Sequence, residues 1–236
     1  MSIQAARTTP TVAGALAVQA TSQALVLRPM TTVDLELVAR WHADHFPGGF
    51  AARLGERYLQ AWYRRFLSGP HATAWCADDA DGGLAGYIVG TVDEQQHHAD
   101  LSVALRLRLA TIGATSLASR PRLWPRFVAV RVPWHGRRMV NRLRRQPSAR
   151  KPGGELHYLV TAPTCREQGV GSLLHDQFVA IATAAGATQL QLVTLADNFS
   201  AQQFYERRGW TTAARKHTLD GIALEAYELQ VQGLQP

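Results

Sequence analysis

The stretch LVTAPTCREQGVG, residues 159–171, decides the fold class of this chain. It closes a strand predicted over 155–162 and leads, through a loop with Arg166, Gly169 and Gly171, into a predicted helix. Glycines let backbone N–H groups approach an anion closely, and the helix N-terminus adds a favourable dipole. The stretch therefore predicts a cradle for a pyrophosphate, with a plain strand-to-helix turn as the alternative.

A second motif lies downstream of the first. Asn198 follows a strand predicted over 189–194 and precedes a short helix predicted over 200–208, and the end of this helix lies in FYERRGW, residues 204–210. Together the two stretches resemble the GCN5-related N-acetyltransferase (GNAT) superfamily, whose later signature is Phe-Tyr-Glu-x-x-Gly-Phe. Trp210 stands where that signature has Phe, which is a conservative departure.

The core motif of the same superfamily is Arg/Gln-x-x-Gly-x-Gly/Ala, and Arg166, Gly169 and Gly171 match it. The resemblance implies an α/β fold with a mixed, twisted sheet of about six or seven strands and flanking helices. Patterning elsewhere agrees with that order, and the closing hairpin is predicted at Asp220-Gly221. The other predicted elements are strands 24–29, 72–77, 84–92, 211–219 and 222–231 and helices 33–45, 51–67 and 168–185.

We divide the chain on these grounds into four parts. Residues 1–22 are a flexible tail without the features of a signal peptide, and residues 23–93 form the N-terminal part of the GNAT domain. Residues 94–153 form a basic, partly helical insertion between the third and fourth core strands, with helices predicted over 101–118 and 135–145. Residues 154–236 are the CoA-binding C-terminal part.

The resemblance further implies that acetyl-CoA, or another acyl-CoA, binds as co-substrate between the strands 155–162 and 189–194. Its pantetheine arm would pair with the first strand as an added strand does, and Asn198 would contact that arm or order the next turn. The expected cofactor-binding residues are Leu159, Val160, Thr161, Arg166, Glu167, Gln168, Gly169, Val170, Gly171, Ser172, Asn198 and Tyr205.

Two catalytic roles follow from the resemblance and from acid–base chemistry. Tyr205 would donate a proton toward the departing thiolate, or would simply pack as an aromatic residue. The acceptor amine is mostly protonated at pH 7, so a base is needed as well. His157 matches a histidine that acts in proton removal in arylalkylamine-type members, and Glu155 would orient it or act alone. Strand alternation is expected to place Glu155, His157, Leu159 and Thr161 on one face, with His157 as a half-buried strand residue in the alternative view.

The resemblance implies that the acceptor site is shaped by the loop between the first two helices and by the final hairpin. The candidate substrate-binding residues are His45, Phe46, Phe50 and Tyr227. Residues 46–63 are also similar to acetyltransferases encoded with surface-polysaccharide genes, which adds amino sugars to the candidate acceptors. The predicted function is transfer of an acetyl group to the primary amine of a small molecule, and the alternative is a non-catalytic CoA-binding module tethered by its insertion.

Charge is concentrated in the insertion. Residues 101–154 hold 13 Arg or Lys and no acid, which leaves 12 basic and 18 acidic residues elsewhere in a chain of net charge +7. This asymmetry indicates an anionic partner, and we expect the insertion to bind it through a cluster of five arginines. They are Arg137, Arg138, Arg142, Arg144 and Arg145. The partner is an anionic substrate, membrane headgroups or an acyl carrier protein; a solvated segment without a partner is the remaining alternative.

The sequence gives no indication of a nucleic-acid partner, a membrane-spanning helix or a metal site. No module that reads nucleic acid is recognisable, and no run approaches the roughly 18 apolar residues that span a bilayer. Histidines such as His97 and His98 lack an acidic or cysteine complement, so no metal site is expected. Cys76 and Cys165 form no spaced framework, which indicates a cytoplasmic location, with peripheral membrane contact if the insertion binds headgroups.

Overall fold

A computed structural model describes residues 25–67, 69–124, 153–218 and 221–231. The strands in these ranges are β1 (Val26–Pro29), β2 (Ala72–Asp78), β3 (Leu84–Thr91), β4 (Gly153–Thr161), β5 (Gln189–Leu195), β6 (Thr211–His217) and β7 (Ala223–Gln230). They form one seven-stranded sheet of order β1-β2-β3-β4-β5-β7-β6. Neighbours pair antiparallel except β4 and β5, which run parallel, so the predicted mixed sheet is confirmed.

Helices cover both faces of the sheet. They are α1 (Leu35–His45), α2 (Phe50–Leu54), α3 (Glu56–Tyr63), α4 (Glu94–Asp100), α5 (Val103–Ala118), α6 (Val170–Ala184) and α7 (Phe199–Glu206). Single 3-10 turns lie at Arg64–Phe66, Pro121–Leu123 and Pro163–Cys165. Apolar side chains of α1 and α3 pack on one face around Tyr63 and Tyr87, and we call this the α1-side core. Those of α6 and α7 pack on the other face around Phe178, and we call this the α6-side core.

The predicted helix over 51–67 is wrong in its continuity. Gly55 separates α2 from α3 with a φ of +96°, a conformation that residues with a Cβ rarely adopt. A Cβ at this position would also lie 2.9 Å from the guanidinium of Arg120. The apolar spacing continues across the break, so the sequence pattern conceals the change of direction.

The described part of the predicted insertion is helical and packs on the domain. α4 lies near β4, and α5 lies against α3. α4 was not predicted, whereas α5 agrees with the helix predicted over 101–118. The tail 1–22, the basic helix predicted over 135–145 with its five-arginine cluster, and Asp220 of the predicted hairpin turn lie outside the described residues.

In the described ranges, no single helix combines the length and apolarity that a bilayer crossing requires. One bent pair, α4 with α5, meets these criteria by length and composition.

A chain of buried polar groups crosses the α1-side core. The His42 Nδ1 lies 2.8 Å from the Tyr63 hydroxyl, which lies 2.9 Å from the Tyr87 hydroxyl. His42 is only 1% exposed, and its burial, with a smaller effect of His45, lowers its pKa to about 4. The imidazole is therefore neutral in the folded protein at neutral pH.

Acidification should destabilise the protein through His42. Its pKa is 6.5 when unfolded and about 4 when folded, so the stabilisation is complete above pH 6.5 and is lost as the pH falls toward 4. The loss is at most about 3 kcal/mol for this group. Thermal melts from about pH 7 to about pH 4.5 should show Tm falling, and His42→Leu should flatten the slope. An unchanged slope in the variant would assign the acid sensitivity to other groups, such as the buried His97.

Candidate functional site

β4 and β5 part in the middle of the sheet. They pair only between Gly153–Leu156 and Gln189–Leu192. Beyond this, β4 stays paired with β3 up to Thr161, while β5 stays paired with β7 up to Leu195. The edge of β4 from 157 to 161 therefore faces a gap toward β5, which an extended ligand could enter as an added strand does.

β4 carries a bulge at His157. Val89 of β3 pairs with Tyr158, whereas the next residue, Gly90, pairs with Leu156. His157 is the extra residue, and such bulges redirect the side chains of a strand. Leu156 and Leu159 accordingly both pack in the α6-side core, although they are three residues apart.

The predicted common face of Glu155, His157, Leu159 and Thr161 is wrong for this reason. Glu155 and His157 lie together on the side of the α1-side core. Leu159 packs on the α6-side core, and a Cβ at Gly171 in α6 would lie 3.6 Å from the Thr161 methyl group. A period of two, read from the sequence, cannot show an inserted residue.

The loop between β4 and α6 is the predicted anion cradle. Gly169 precedes α6 with a φ of +85°, and a Cβ there would meet no atom within 4 Å, so this side of the loop is open. Glu167 also has a positive φ of 64°, and the Gln168 side chain donates to the Thr164 carbonyl at 2.9 Å. The first N–H groups of an α-helix have no partner within the helix. In α6 these are the N–H groups of the first residues, beginning at Val170. The four preceding residues are all exposed: Arg166, Glu167, Gln168 and Gly169.

Arg208 fastens the start of α6 to the end of α7. Its guanidinium donates to the Ser172 hydroxyl and to the Phe204 carbonyl, and it lies 3.9 Å above the Phe204 ring. The Ser172 hydroxyl, predicted to contact the cofactor, is thus engaged by an arginine. Arg208 adds positive charge beside the loop. It was not predicted as a site residue because it occupies a variable position, x, of the Phe-Tyr-Glu-x-x-Gly-Phe signature.

Asn198 and Tyr205 occupy opposite ends of α7. The Asn198 side chain accepts a hydrogen bond from the Ala201 N–H at 3.1 Å and so caps the helix. Tyr205 is 7% exposed, with its ring 5.2 Å from Phe204 and 5.8 Å from Trp210. Burial raises the pKa of Tyr205 well above its ordinary value, which Arg208 offsets in part. Its hydroxyl is therefore protonated at neutral pH, and no other group of the described ranges forms a hydrogen bond with it.

His157 sits in a network of carboxylates. Its Nε2 lies 3.1 Å from the Glu94 Oε2, and its Nδ1 lies 3.8 Å from the Glu155 Oε1. Glu94 also accepts from the Thr91 hydroxyl at 2.8 Å and lies 2.8 Å from the His98 Nε2. Burial by itself would raise the pKa of Glu94, but the hydrogen bonds from His157, His98 and Thr91 outweigh it and hold this pKa far below its usual range. Glu94 is therefore a carboxylate.

Glu94 is the main residue that the sequence analysis missed. It is the first residue of α4, placed by a cap in which the Asp93 side chain accepts from the N–H groups of Gln95 and Gln96. The available signal was the pair Asp93-Glu94 directly after a strand, which is typical of a helix start. From the sequence alone, Glu94 is the first residue of the predicted insertion and has no predicted catalytic role.

Aromatic rings and one cation enclose the network. The His157 ring lies 5.1 Å from Phe66 and 6.2 Å from Trp62. The Arg65 guanidinium lies over both of those aromatic rings, at 4.2 Å from Trp62 and 4.6 Å from Phe66. Burial lowers the pKa of Arg65, and the nearby Glu94 opposes this.

The ligand atoms of Glu94, Glu155 and His157 lie within 4.8 Å of one another. Two carboxylates and an imidazole are a set that Zn²⁺ accepts. The expectation that this chain needs no metal stays a prediction.

The predicted acceptor residues divide into two groups. Phe46 lies in the connection between α1 and α2, with its ring 5.1 Å from Tyr158 of β4, while the His45 Nδ1 lies 2.8 Å from the Trp41 carbonyl. Phe50 begins α2. A Cβ at Gly48 in the same connection would lie 3.7 Å from Ile222, so this connection meets the β6–β7 hairpin.

Tyr227 requires a correction. It is 1% exposed in the α6-side core, and its hydroxyl donates to Glu206 at 3.0 Å. Its place on β7 turns it toward α7 instead of toward an open surface, so it supports Tyr205 from behind at a ring distance of 6.5 Å.

Comparison with known proteins agrees with this architecture. Residues 127–210 match the model of the acetyltransferase (GNAT) family. None of the curated proteins compared with the chain matches it. Among solved structures, a GCN5-related N-acetyltransferase from Kribbella flavida has a TM-score of 0.56 at 14% identity, covering 88% of this chain and 98% of its own.

Two further structures show the same likeness. Arabidopsis thaliana NAA60 in complex with acetyl-CoA has a TM-score of 0.52 at 16% identity, over 88% of this chain and 99% of that one. An acetyltransferase of the GNAT family from Streptococcus pneumoniae has a TM-score of 0.52 at 13% identity, over 89% of this chain and 100% of that one. At these identities the likeness shows the fold.

Proposed function

We propose that this chain, which carries an acetyltransferase (GNAT) family domain over residues 127–210 and has the GNAT fold, transfers an acetyl group from acetyl-CoA to the primary amine of a small molecule. The observation that carries the proposal is the gap between β4 and β5. One end of this gap leads to the open loop before α6, and the other lies at the bulge that bears His157. A ligand that binds along the gap can thus be anchored at one end and react at the other.

The residues along the gap fit coenzyme A. The open side of Gly169 and the exposed N-terminus of α6 would hold the pyrophosphate, with Arg166 and Arg208 contributing positive charge. The free edge of β4 at Leu159, Val160 and Thr161 would pair with the pantetheine arm. When bound, acetyl-CoA supplies the activated acetyl thioester.

Replacing Gly169 by Ala should weaken coenzyme A binding about tenfold or more, because a Cβ strains the φ of +85° and displaces the loop N–H groups. Gly82→Ala is a matched control, since Gly82 has a φ of +77°, an equally open side and a place in the turn between β2 and β3, outside the loop before α6. Both variants should lose about 1 kcal/mol of stability. Calorimetry with CoA should separate them, and equal affinities in the two variants would move the cofactor site elsewhere.

His157 acts as the general base in this proposal. The Glu94 carboxylate can only accept hydrogen bonds, so the His157 Nε2 donates to it and the Nδ1 carries the lone pair. Glu155, 3.8 Å from that Nδ1, is placed to hold the ammonium form of the acceptor before the proton moves to the imidazole. Glu94 then stabilises the imidazolium by its negative charge, as a positioning residue.

Replacing His157 by Gln should lower kcat by about 100-fold or more, because the imidazole that accepts the proton of the amine is then absent. Glu94→Gln keeps the shape but removes the charge behind the ring, so a smaller loss is expected, on the order of tenfold. CoA affinity measured by calorimetry should be unchanged in both. If Glu155→Gln is inactive while His157→Gln keeps its activity, the base is Glu155.

Tyr205 assists the departing thiolate in this proposal. Burial raises its pKa, which makes complete proton transfer to a thiolate less favourable than it is for a free tyrosine. The protonated hydroxyl nevertheless donates a hydrogen bond to negative charge that develops on sulfur. We therefore propose that the Tyr205 hydroxyl stabilises the leaving sulfur by a hydrogen bond and does not transfer its proton completely.

Replacing Tyr205 by Phe should lower kcat on the order of 10–1000-fold with little change in CoA affinity, since the hydroxyl acts only as charge develops. The ring packing with Phe204 and Trp210 is retained, so Tm should stay near that of the parent. Thiol release with a saturating amine measures the effect. An undiminished kcat would make Tyr205 a packing residue.

The acceptor enters on the α1 side, between the α1–α2 connection and the β6–β7 hairpin. His45, Phe46 and Phe50 are proposed to line that entrance. An amino sugar is a candidate on the likeness of residues 46–63 alone. The expected cytoplasmic location agrees with the two unpaired, buried cysteines, Cys76 and Cys165.

The alternative is a module that binds coenzyme A without chemistry and is tethered by its insertion. A panel of primary amines, amino sugars included, distinguishes the two by thiol release from acetyl-CoA. Affinity for CoA without turnover of any amine would favour the module.

A further inference from the structure

A cavity of about 870 Å³ lies between α3 and α5, and we call it the α3–α5 groove. Its lining includes Arg57, Gln60 and Arg64 on one wall and Arg108 on the other, with Arg120 at one end. Residues three and four apart share a helix face, so the groove lies on the face of α3 opposite Leu59 and Phe66, which point into the α1-side core. It is therefore separate from His157, which contacts Phe66.

Positive charge in the groove is unbalanced. Four arginines line it, and Glu56 is the one carboxylate among its lining residues. By contrast, Arg28 pairs with Asp34 and Asp78, and Arg215 pairs with Glu225. No carboxylate in the described ranges forms an ion pair with any of the four groove arginines. Like charges that line one cavity repel one another, and a bound anion would reduce this repulsion.

One of the four guanidiniums is fixed by the fold. The Arg120 Nη1 donates to the Leu54 carbonyl at 3.1 Å and to the Ser116 carbonyl at 3.3 Å. The approach depends on Gly55, where a Cβ would lie 2.9 Å from the guanidinium. The absence of a side chain at Gly55, between α2 and α3, thus leaves room for the Arg120 guanidinium at the end of the groove. The hydrogen bonds to the two carbonyls hold this guanidinium in place without a ligand.

We propose that the α3–α5 groove binds a small molecule that carries a diphosphate. The planar guanidinium forms paired hydrogen bonds with phosphate oxygens, which a compact ammonium does not. Arginines on both walls and at one end suit an anion with more than one phosphate. The volume is within the range of sites for nucleotide-sized ligands. The inference stands independently of acetyl transfer, because none of these residues belongs to the proposed reaction site.

Calorimetry at low ionic strength with uridine diphosphate and with inorganic pyrophosphate tests the proposal. The variant Arg57→Gln/Arg108→Gln, which removes one exposed cation from each wall, should bind uridine diphosphate about tenfold or more weakly. Arg40→Gln/Arg207→Gln removes the same charge from exposed positions outside the groove and should bind like the parent. Binding to the parent should also weaken as salt rises. Circular dichroism and Tm verify that both variants fold.

Four results would overturn the inference. The first is that neither compound binds to the parent. The second is that both double variants lose affinity equally, which would show that the protein attracts anions only by its general positive charge. Alternatively, Gly169→Ala abolishes uridine diphosphate binding, which places the anion at the loop before α6. Finally, vesicles containing phosphatidylglycerol bind while both soluble compounds do not, which assigns the arginines to a lipid surface.

Discussion

Strand β4 is bonded to β3 along nearly its whole length but to β5 only over its first residues, and the proposed site depends on this inequality. The backbone of a strand that loses one neighbour must find other partners, because unpaired buried N–H and C=O groups are costly. In the proposed function, an extended ligand takes the place of the missing neighbour. The cradle before α6 continues the same line, since it is the loop into which β4 runs.

The bulge at His157 decides what faces this gap. Without the extra residue, Leu156, Tyr158 and Val160 would share one face of β4. With it, Leu156 packs against the α6-side core while Tyr158 and Val160 pack on the other side. His157 is then turned to Glu94, and α4, the first helix after β3, becomes part of the proposed site. The predicted insertion thus supplies a carboxylate that contacts the proposed base.

Features that depend on neighbouring residues were predictable from the sequence, whereas features that depend on residues far apart in the chain were not. Local patterns identified the strand, loop and helix around Gly169 and the short helix after Asn198, because those structures are determined by adjacent residues. The break at Gly55 was missed since apolar spacing persists through it. Glu94 and the burial of Tyr227 were missed because each depends on a residue far away in the chain, namely His157 and Glu206. The charge excess was visible in the composition, but the groove that gathers four arginines requires α3 and α5 to be packed together.

The pairing of Thr91 with Glu155 has a consequence for how such a chain can change over evolutionary time. These two residues flank the long connection between β3 and β4, and they are opposite each other in an antiparallel ladder. Both ends of the connection are therefore anchored by the sheet, whatever lies between them. The entropy of closing a loop grows only with the logarithm of its length, about 0.6 kcal/mol for each doubling. A short turn at this point can accordingly lengthen into a whole helical segment at little thermodynamic cost, and new chemistry can be acquired there without altering the sheet.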